Sequence, residues 1–418
     1  MDVHTAYLGL AIAFGFLMAW GIGANDVSNA MGTSVGSGAI SIRQAILIAA
    51  VFEFLGAFLA GGQVTQTISN DLLDISQFQG QEYLLVRGML ASLLASAVWL
   101  FVASHFGWPV STTHTIIGAI VGFGSLSLGV QVVAWKKIFL ILLSWICSPL
   151  LGGLLSFALF KSLQKFIFDS PYPSRQAKRF APLYAAFAAW CIATMTLRQG
   201  LSHFGYHLTL KESMAWALLV ALIVSLLAWY AIGKILLDPK NDAKFRFATV
   251  ERIFKILMLF TACSMAFAHG SNDVANAIGP VSAVVSILSG NSDFYKETAI
   301  IPMWVLLLGG GGIVIGLATY GHKVMATIGT GITQLTPSRG FSSELATAAT
   351  VIFASATGLP ISTTHTLVGA ILGVGLARGL DALNLHAIRN IFMSWIITLP
   401  VGAGLAILFF EILEFIFT

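Results

Sequence analysis

The polarity pattern is a succession of apolar stretches of helical length separated by short polar breaks. These cover residues 5–40, 44–62, 87–107, 111–129 and 138–160 in the first half. They continue over 182–198, 213–232, 254–289, 302–320, 344–358, 362–377 and 390–416. Because a bilayer crossing takes about 20 residues, the pattern predicts an all-α integral membrane protein of about twelve transmembrane segments. Two stretches, 5–40 and 254–289, exceed one simple span and carry Gly-rich polar interruptions at Gly21–Asp26 and Gly270–Asp273. They predict broken helices. Two neighbouring pairs, joined around Phe106–Ser111 and Thr357–Ser362, lack the charged linker of a turn that emerges into water. Each pair predicts a re-entrant helical hairpin that turns back inside the protein.

The polar interruptions repeat. Gly23–Gly32 (GANDVSNAMG) aligns with Gly270–Gly279 (GSNDVANAIG), and Pro109–Gly124 (PVSTTHTIIGAIVGFG) aligns with Pro360–Gly375 (PISTTHTLVGAILGVG). Two motifs in the same order at nearly the same separation mark an internal duplication. It divides the chain into a first repeat over 1–160, basic loops with a linking helix pair over 161–255, and a second repeat over 256–418.

Composition agrees with a chain mostly in lipid: 57% of residues are hydrophobic, 10% are charged, and the mean hydropathy is +0.87. Cys147, Cys191 and Cys263 all lie in apolar runs and offer neither a disulfide framework nor a paired-cysteine metal site. The N-terminus lacks the basic region of a cleavable signal, so the first apolar stretch is expected to remain a membrane helix. A net charge of +4 gives no reason to expect a nucleic-acid partner. The placement of charge says more. Basic loops at 161–179 and 234–255 should face the cytoplasm, and the acidic 63–86 segment should face outward. The path that results puts both termini outside and the two repeats in inverted topology, although Lys136 and Lys137 then fall on the outer side. Inverted repeats give alternating-access carriers one shared site near the midplane.

Ionisable groups inside membrane spans are costly and usually functional. Asp26 and Asp273 occupy equivalent positions, flanked by Asn25 and Asn29 in one copy and by Asn272 and Asn276 in the other. Each half thus offers a carboxylate and amide oxygens, a donor set suited to a hard cation. The bland alternative is capping of a helix break. The runs Ser111–Thr113 and Ser362–Thr364 each follow a proline and open an apolar half-helix, and its free amides, positive dipole end and hydroxyls suit an oxyanion. Neither motif contains Lys or Arg, so a multiply charged anion beside two carboxylates requires accompanying cations. His114 and His365 read either as buried residues that steady the hairpin tips or as direct proton-coupling groups and stay supporting residues, and His269, opposite Ile22, receives no role. Glu53 and Glu344 have no partner in the other half and read either as cation ligands or as structural pairing groups. Gly309–Gly312 reads as a close helix contact.

The two asparagine-aspartate motifs, PVSTTHT and PISTTHT, and Gly340–Glu344 together resemble the PiT family of inorganic phosphate transporters over nearly the whole chain. The resemblance implies a membrane transporter without cofactor or enzymatic activity, residing in a bacterial inner membrane or plasma membrane, and a homodimer. It assigns phosphate to Ser111, Thr112, Thr113, Ser362, Thr363 and Thr364, with Asn25 and Asn272 nearby. Sodium, the co-transported ion, goes to Asp26, Asn29, Asp273 and Asn276, with Glu53 and Glu344 as additions. The first motif and Phe52-Glu53 resemble the sodium-coupled branch. The competing readings are a proton-coupled permease for metal-phosphate or sulfate, an intramembrane hydrolase using Ser and His, and a passive anion channel. The symmetric pairing of the hydroxyl runs argues against the hydrolase, and fixed acids at the centre argue against the channel.

Overall fold

The computed structural model describes residues 2–200, 208–236, 247–290, 301–322, 324–325, 335–379 and 385–417. Every apolar stretch falls on a helix, and among the described residues extended pairing is limited to one isolated bridge, Leu73 to Val133. Helix α1 (Val3–Ile22) passes through a single π-helical turn (Gly23–Val27) into α2 (Ser28–Gly36). The first expected break is therefore a widened turn in a continuous helix. A π turn disturbs the hydrogen-bond ladder locally without ending it, a common arrangement at functional positions. The second copy does break: α10 (Ala248–Asn272) stops, and Asp273 and Val274 form a turn before α11 (Ala275–Leu288).

Between these runs lie α3 (Ile42–Ala60), the short α4 (Gly62–Gln66), α5 (Glu82–His105), α6 (Thr112–Leu128), α7 (Trp135–Leu163), α8 (Pro173–Gly200) and α9 (Leu210–Gly233). The chain continues with α12 (Met303–Tyr320), α13 (Pro337–Ala356), α14 (Thr363–Arg378) and α15 (Leu385–Phe417). Nine helical runs among the described residues are long and apolar enough to cross a membrane. The other three apolar segments are arms of the two hairpins. Helices α6 and α14 are only 17 and 16 residues long, and α13 is rich in hydroxyls and carries Arg339 and Glu344. Outward faces such as Leu143, Ile146, Leu150 and Leu154 on α7 expose large apolar side chains at helical spacing, as lipid contact requires.

Two expectations change. Most of the 161–179 loop is helical: α7 runs on through a π turn to Phe168, and α8 starts at Pro173. Lysine, arginine and glutamine are good helix formers, and proline suits a first helical turn. The apolar stretch expected to start at residue 344 belongs to a longer helix, α13, which begins seven residues earlier with Pro337 in its first turn, so Glu344 lies inside it. Lys137 pairs with Asp71 at 2.9 Å, and Asp74 N–H donates to the Val132 carbonyl at 2.7 Å. Lys137, one of the two lysines that the charge-based path puts on the outer side, thus adjoins the acidic segment. Lys240, Lys244 and Arg246 of the other basic loop lie outside the described residues.

Small residues let the helices meet backbone to backbone. A Cβ on Gly312 would lie 2.7 Å from Ala19 Cβ, and one on Gly309 would lie 2.5 Å from Ile278 Cγ2, which makes this glycine run the close contact expected of it. At Gly270 a Cβ would lie 2.1 Å from the Glu53 carbonyl oxygen, and at Gly56 it would lie 2.1 Å from that of Phe267. These two glycines seat α3 against α10 and bring Glu53 beside His269. The hairpins exchange partners, with α6 packed on α15 and α14 packed on α7.

Candidate functional site

The two hairpin tips are built alike. Ser111 and Ser362 have extended backbones and cap α6 and α14, each accepting at Oγ the N–H of the histidine three residues on, at 3.2 Å. A serine cap satisfies one amide that the first helical turn leaves free. The tips also reach across to each other. Thr113 Oγ1 donates to the Ile361 carbonyl at 3.1 Å, and Thr364 Oγ1 donates to the Val110 carbonyl at 3.4 Å.

Each tip is tied to an asparagine-aspartate motif. Asn25 Nδ2 donates to Ser104 Oγ (3.3 Å) and the Trp108 carbonyl (2.9 Å), while its Oδ1 accepts from Val110 N–H (3.3 Å). Asn272 Nδ2 repeats the first two contacts with Ser355 Oγ and the Leu359 carbonyl, both at 3.1 Å. Thr112 Oγ1 donates to Asp26 Oδ2 at 2.5 Å, and Thr363 Oγ1 makes the corresponding short bond to Asp273 Oδ2. Contacts also cross between the halves. Thr364 donates to Asp26 Oδ1 at 3.3 Å, and Asn276 Nδ2 donates to Thr112 and Thr113, both at 3.1 Å. All of these acids, amides and hydroxyls are buried. The four motif copies therefore converge on one centre; of Asn29 the structure describes the backbone only.

His269, the residue left without a role, joins the acids. Its Nδ1 lies 2.8 Å from Glu53 Oε2 and its Nε2 lies 3.0 Å from Asp273 Oδ2, with all three side chains fully buried. One ligand atom each from Asp26, His269 and Asp273 falls within 4.8 Å of the others. Among the described residues, four buried oxygens here find no hydrogen-bond donor: Glu53 Oε1, Asn272 Oδ1, Asp273 Oδ1 and Asn276 Oδ1. An unpartnered buried acceptor costs about 1–3 kcal/mol, so a concentration of four in one place fits a site that receives a cation. Asp26, by contrast, has hydroxyl donors on both oxygens.

Glu344 shares no hydrogen-bond partner with this centre. Its Oε1 accepts from Thr33 (2.5 Å) and Ser34 (2.6 Å), and its Oε2 accepts from Thr261 (2.6 Å). His114 and His365 meet edge to face at 4.3 Å between ring centroids and stack on Trp145 and Trp395 at 3.7 and 3.5 Å. This four-ring stack joins the first turns of α6 and α14.

A family model described as "Phosphate transporter family" matches residues 22–406. The chain belongs to that family. Its members are transporters and not enzymes, which places the buried centre in a multi-pass membrane carrier and removes the hydrolase reading. A "Putative phosphate permease" of Haemophilus influenzae is 53% identical over the full length of both chains. "Inorganic phosphate transporter 2-1, chloroplastic" of Arabidopsis thaliana is 44% identical, over 100% of this chain and 74% of its own. A solved structure, "The sodium-dependent phosphate transporter", is 40% identical and superposes with a TM-score of 0.90, over 98% of this chain and 100% of that one.

Within the family fold, His269 is the residue that sequence reasoning passed over. Comparing the two repeats discards it, because Ile22 stands opposite. A usable signal was present nonetheless: His269 lies one helical turn before Asp273 inside an apolar span, where an ionisable group needs a partner.

Proposed function

We propose that this phosphate transporter carries inorganic phosphate together with sodium by alternating access, through twelve membrane segments formed by two inverted repeats that share one midplane site and by the helix pair that links them. Residues 1–160 and 256–418 form the repeats, 161–255 connects them through basic cytoplasmic loops and a linking helix pair, and both termini lie outside. The observation that carries the reading is the set of donorless oxygens of Glu53, Asn272, Asp273 and Asn276 beside the crossed hydroxyl tips. Carboxylate and amide oxygens are the donors a hard cation takes. Sodium would be held by Asp26, Asp273, Asn276 and Glu53, with Asn29 and the hydroxyl-caged Glu344 as further ligands. Phosphate would sit against the amides and hydroxyls of Ser111–Thr113 and Ser362–Thr364, next to Asn25 and Asn272.

The coupling follows from charge. Two unit charges 4 Å apart interact by about 4 kcal/mol at an effective dielectric constant of 20, so an oxyanion brought beside Asp26 and Asp273 without cations is expelled. Bound sodium reverses that sign, so phosphate loads only in its company. The reciprocal contacts of Thr113 and Thr364 support a pseudo-two-fold relation between the repeats, since each tip makes with the other the bond it receives. The solved relative's sodium dependence supports the choice of cation. A second reading is favoured by His269: a proton on this imidazole, between Glu53 and Asp273, could supply the positive charge, as in a proton-coupled metal-phosphate or sulfate permease.

Purified protein in liposomes decides between them. An inward sodium gradient should drive accumulation of labelled phosphate, and choline with an imposed proton gradient should not. Equal uptake under both conditions contradicts sodium coupling.

A further inference from the structure

The duplication carries a third motif. Ser144-Trp145-Ile146 on α7 recurs as Ser394-Trp395-Ile396 on α15, at an offset of 250 against 251 for the hairpins. The two stations are built alike. Both tryptophans are buried, 6% and 8% exposed, and each stacks on the histidine of its own repeat's hairpin. The rings lie 3.7 Å apart at 25° for Trp145 on His114 and 3.5 Å apart at 22° for Trp395 on His365. Ser144 and Ser394 each donate Oγ–H to the carbonyl three residues back, at 2.7 Å in both copies.

One bond breaks this likeness. Trp145 Nε1 donates at 3.0 Å to the carbonyl of Pro360, which leads into the second tip. Its counterpart, Trp395 Nε1, is buried and finds no acceptor among the described residues. The equivalent carbonyl, that of Pro109 at the first tip, is nonetheless at this station. The neighbouring Ser394 Oγ lies 3.4 Å from it, while its proton goes to the nearer Ile391 carbonyl at 2.7 Å. A buried indole N–H ordinarily has a partner, and leaving it without one costs free energy.

We propose that Trp145 and Trp395 are positioning residues that hold the two hairpin tips in alternation. The Trp145 bond to Pro360 belongs to the state of this structure; in the state facing the other side it opens, and Trp395 Nε1 donates to Pro109. This inference rests on the alternating-access reading. When inverted repeats share one site, a change of face exchanges the parts that the two repeats play. A bond present in one copy and missing at the equivalent atoms of the other is the mark of such an exchange. One bond is lost as one is gained, which keeps both states close in free energy, as a carrier that visits both requires. The stack between the stations does not resist the change. Ring contacts tolerate offset, and neither His114 Nε2 nor His365 Nε2 holds a hydrogen bond that sliding would break.

The test uses the full chain in liposomes, with Trp145→Phe and Trp395→Phe as variants. Phenylalanine keeps an aromatic face for the histidine and removes the N–H. Both variants should lower the maximal rate of labelled-phosphate uptake about tenfold, because each destabilises one of the two states between which the carrier moves. The half-saturating phosphate concentration should stay within about twofold of the parent, since neither indole is placed against the anion. A purely structural part predicts otherwise for Trp395→Phe, which removes no bond present in this structure. Indole resonances of protein carrying nitrogen-15 tryptophan, in nanodiscs, give a second readout: in Trp145→Phe the Trp395 signal should move to the hydrogen-bonded position. Trp395→Phe turning over at the parent rate, or a Trp395 signal indifferent to the loss of Trp145, overturns the proposal. Should Trp145→Phe not fold, the rate of Trp395→Phe decides alone. Failure of the alternating-access reading shows separately, in the parent, as labelled phosphate that does not exchange against unlabelled phosphate across the vesicle wall.

Discussion

Asp26, on the π turn of the first helical run, accepts a hydrogen bond from Thr364 at the tip of the second hairpin, 338 positions along the chain and 3.3 Å away. No segment of either repeat contains both partners. The bond exists only when the two halves are assembled, so the carboxylate of one copy responds to what the other copy's tip binds.

Replacing Asp26 or Asp273 by Asn removes the negative charge while keeping the shape and most of the hydrogen bonding. Sodium-driven phosphate uptake should fall by at least about tenfold, equivalent to about 1.4 kcal/mol, with unchanged insertion and gel-filtration behaviour. Both variants transporting at the parent rate would remove the carboxylates from the coupling scheme.

Ser111→Ala together with Ser362→Ala deletes both helix caps. The expected result is a higher phosphate concentration for half-maximal uptake and a stability loss of about 1 kcal/mol per cap. Lower stability with unaltered concentration dependence would make the serines structural only.

His269→Ala leaves Glu53 and Asp273 buried without their shared partner. Leaving a buried acceptor without its hydrogen-bond partner costs about 1–3 kcal/mol and more for a charged group, so a drop in melting temperature is expected. A variant that melts with the parent would mean that the histidine does not compensate the two acids.

Gly270→Ala places a methyl group 2.1 Å from the Glu53 carbonyl oxygen, where backbone and not a flexible side chain must yield. Separation of α3 from α10 should lower both stability and transport. Gly311→Ala, with nothing within 4 Å of the added carbon, serves as the silent control from the same family of substitutions.

The hydroxyl tips and the asparagine-aspartate pairs were legible in the sequence because duplication repeats them, and the structure draws all four copies to one place. What the sequence hid was everything asymmetric or long-range. Glu344 is caged by Thr33, Ser34 and Thr261, between 83 and 311 positions away, and no local pattern marks such partners. His269 fell to the same filter that found the acids. The first helix break appeared in the sequence as Gly, Asn and Asp together, a composition shared by a true interruption and a π turn; tertiary packing decided between them. The basic stretch at 161–179 looked like a loop because its charges mark the membrane edge, whereas lysine and arginine continue a helix readily once it has left the lipid.

The central claim is that oxyanion and cation stabilise each other at one buried centre, and binding reciprocity tests it without transport. Phosphate affinity of the purified protein is measured calorimetrically in sodium and again with choline substituted at constant ionic strength. The account predicts affinity about tenfold or more weaker in choline, within the usual range of coupling between linked sites. Equal affinity in the two salts would contradict it.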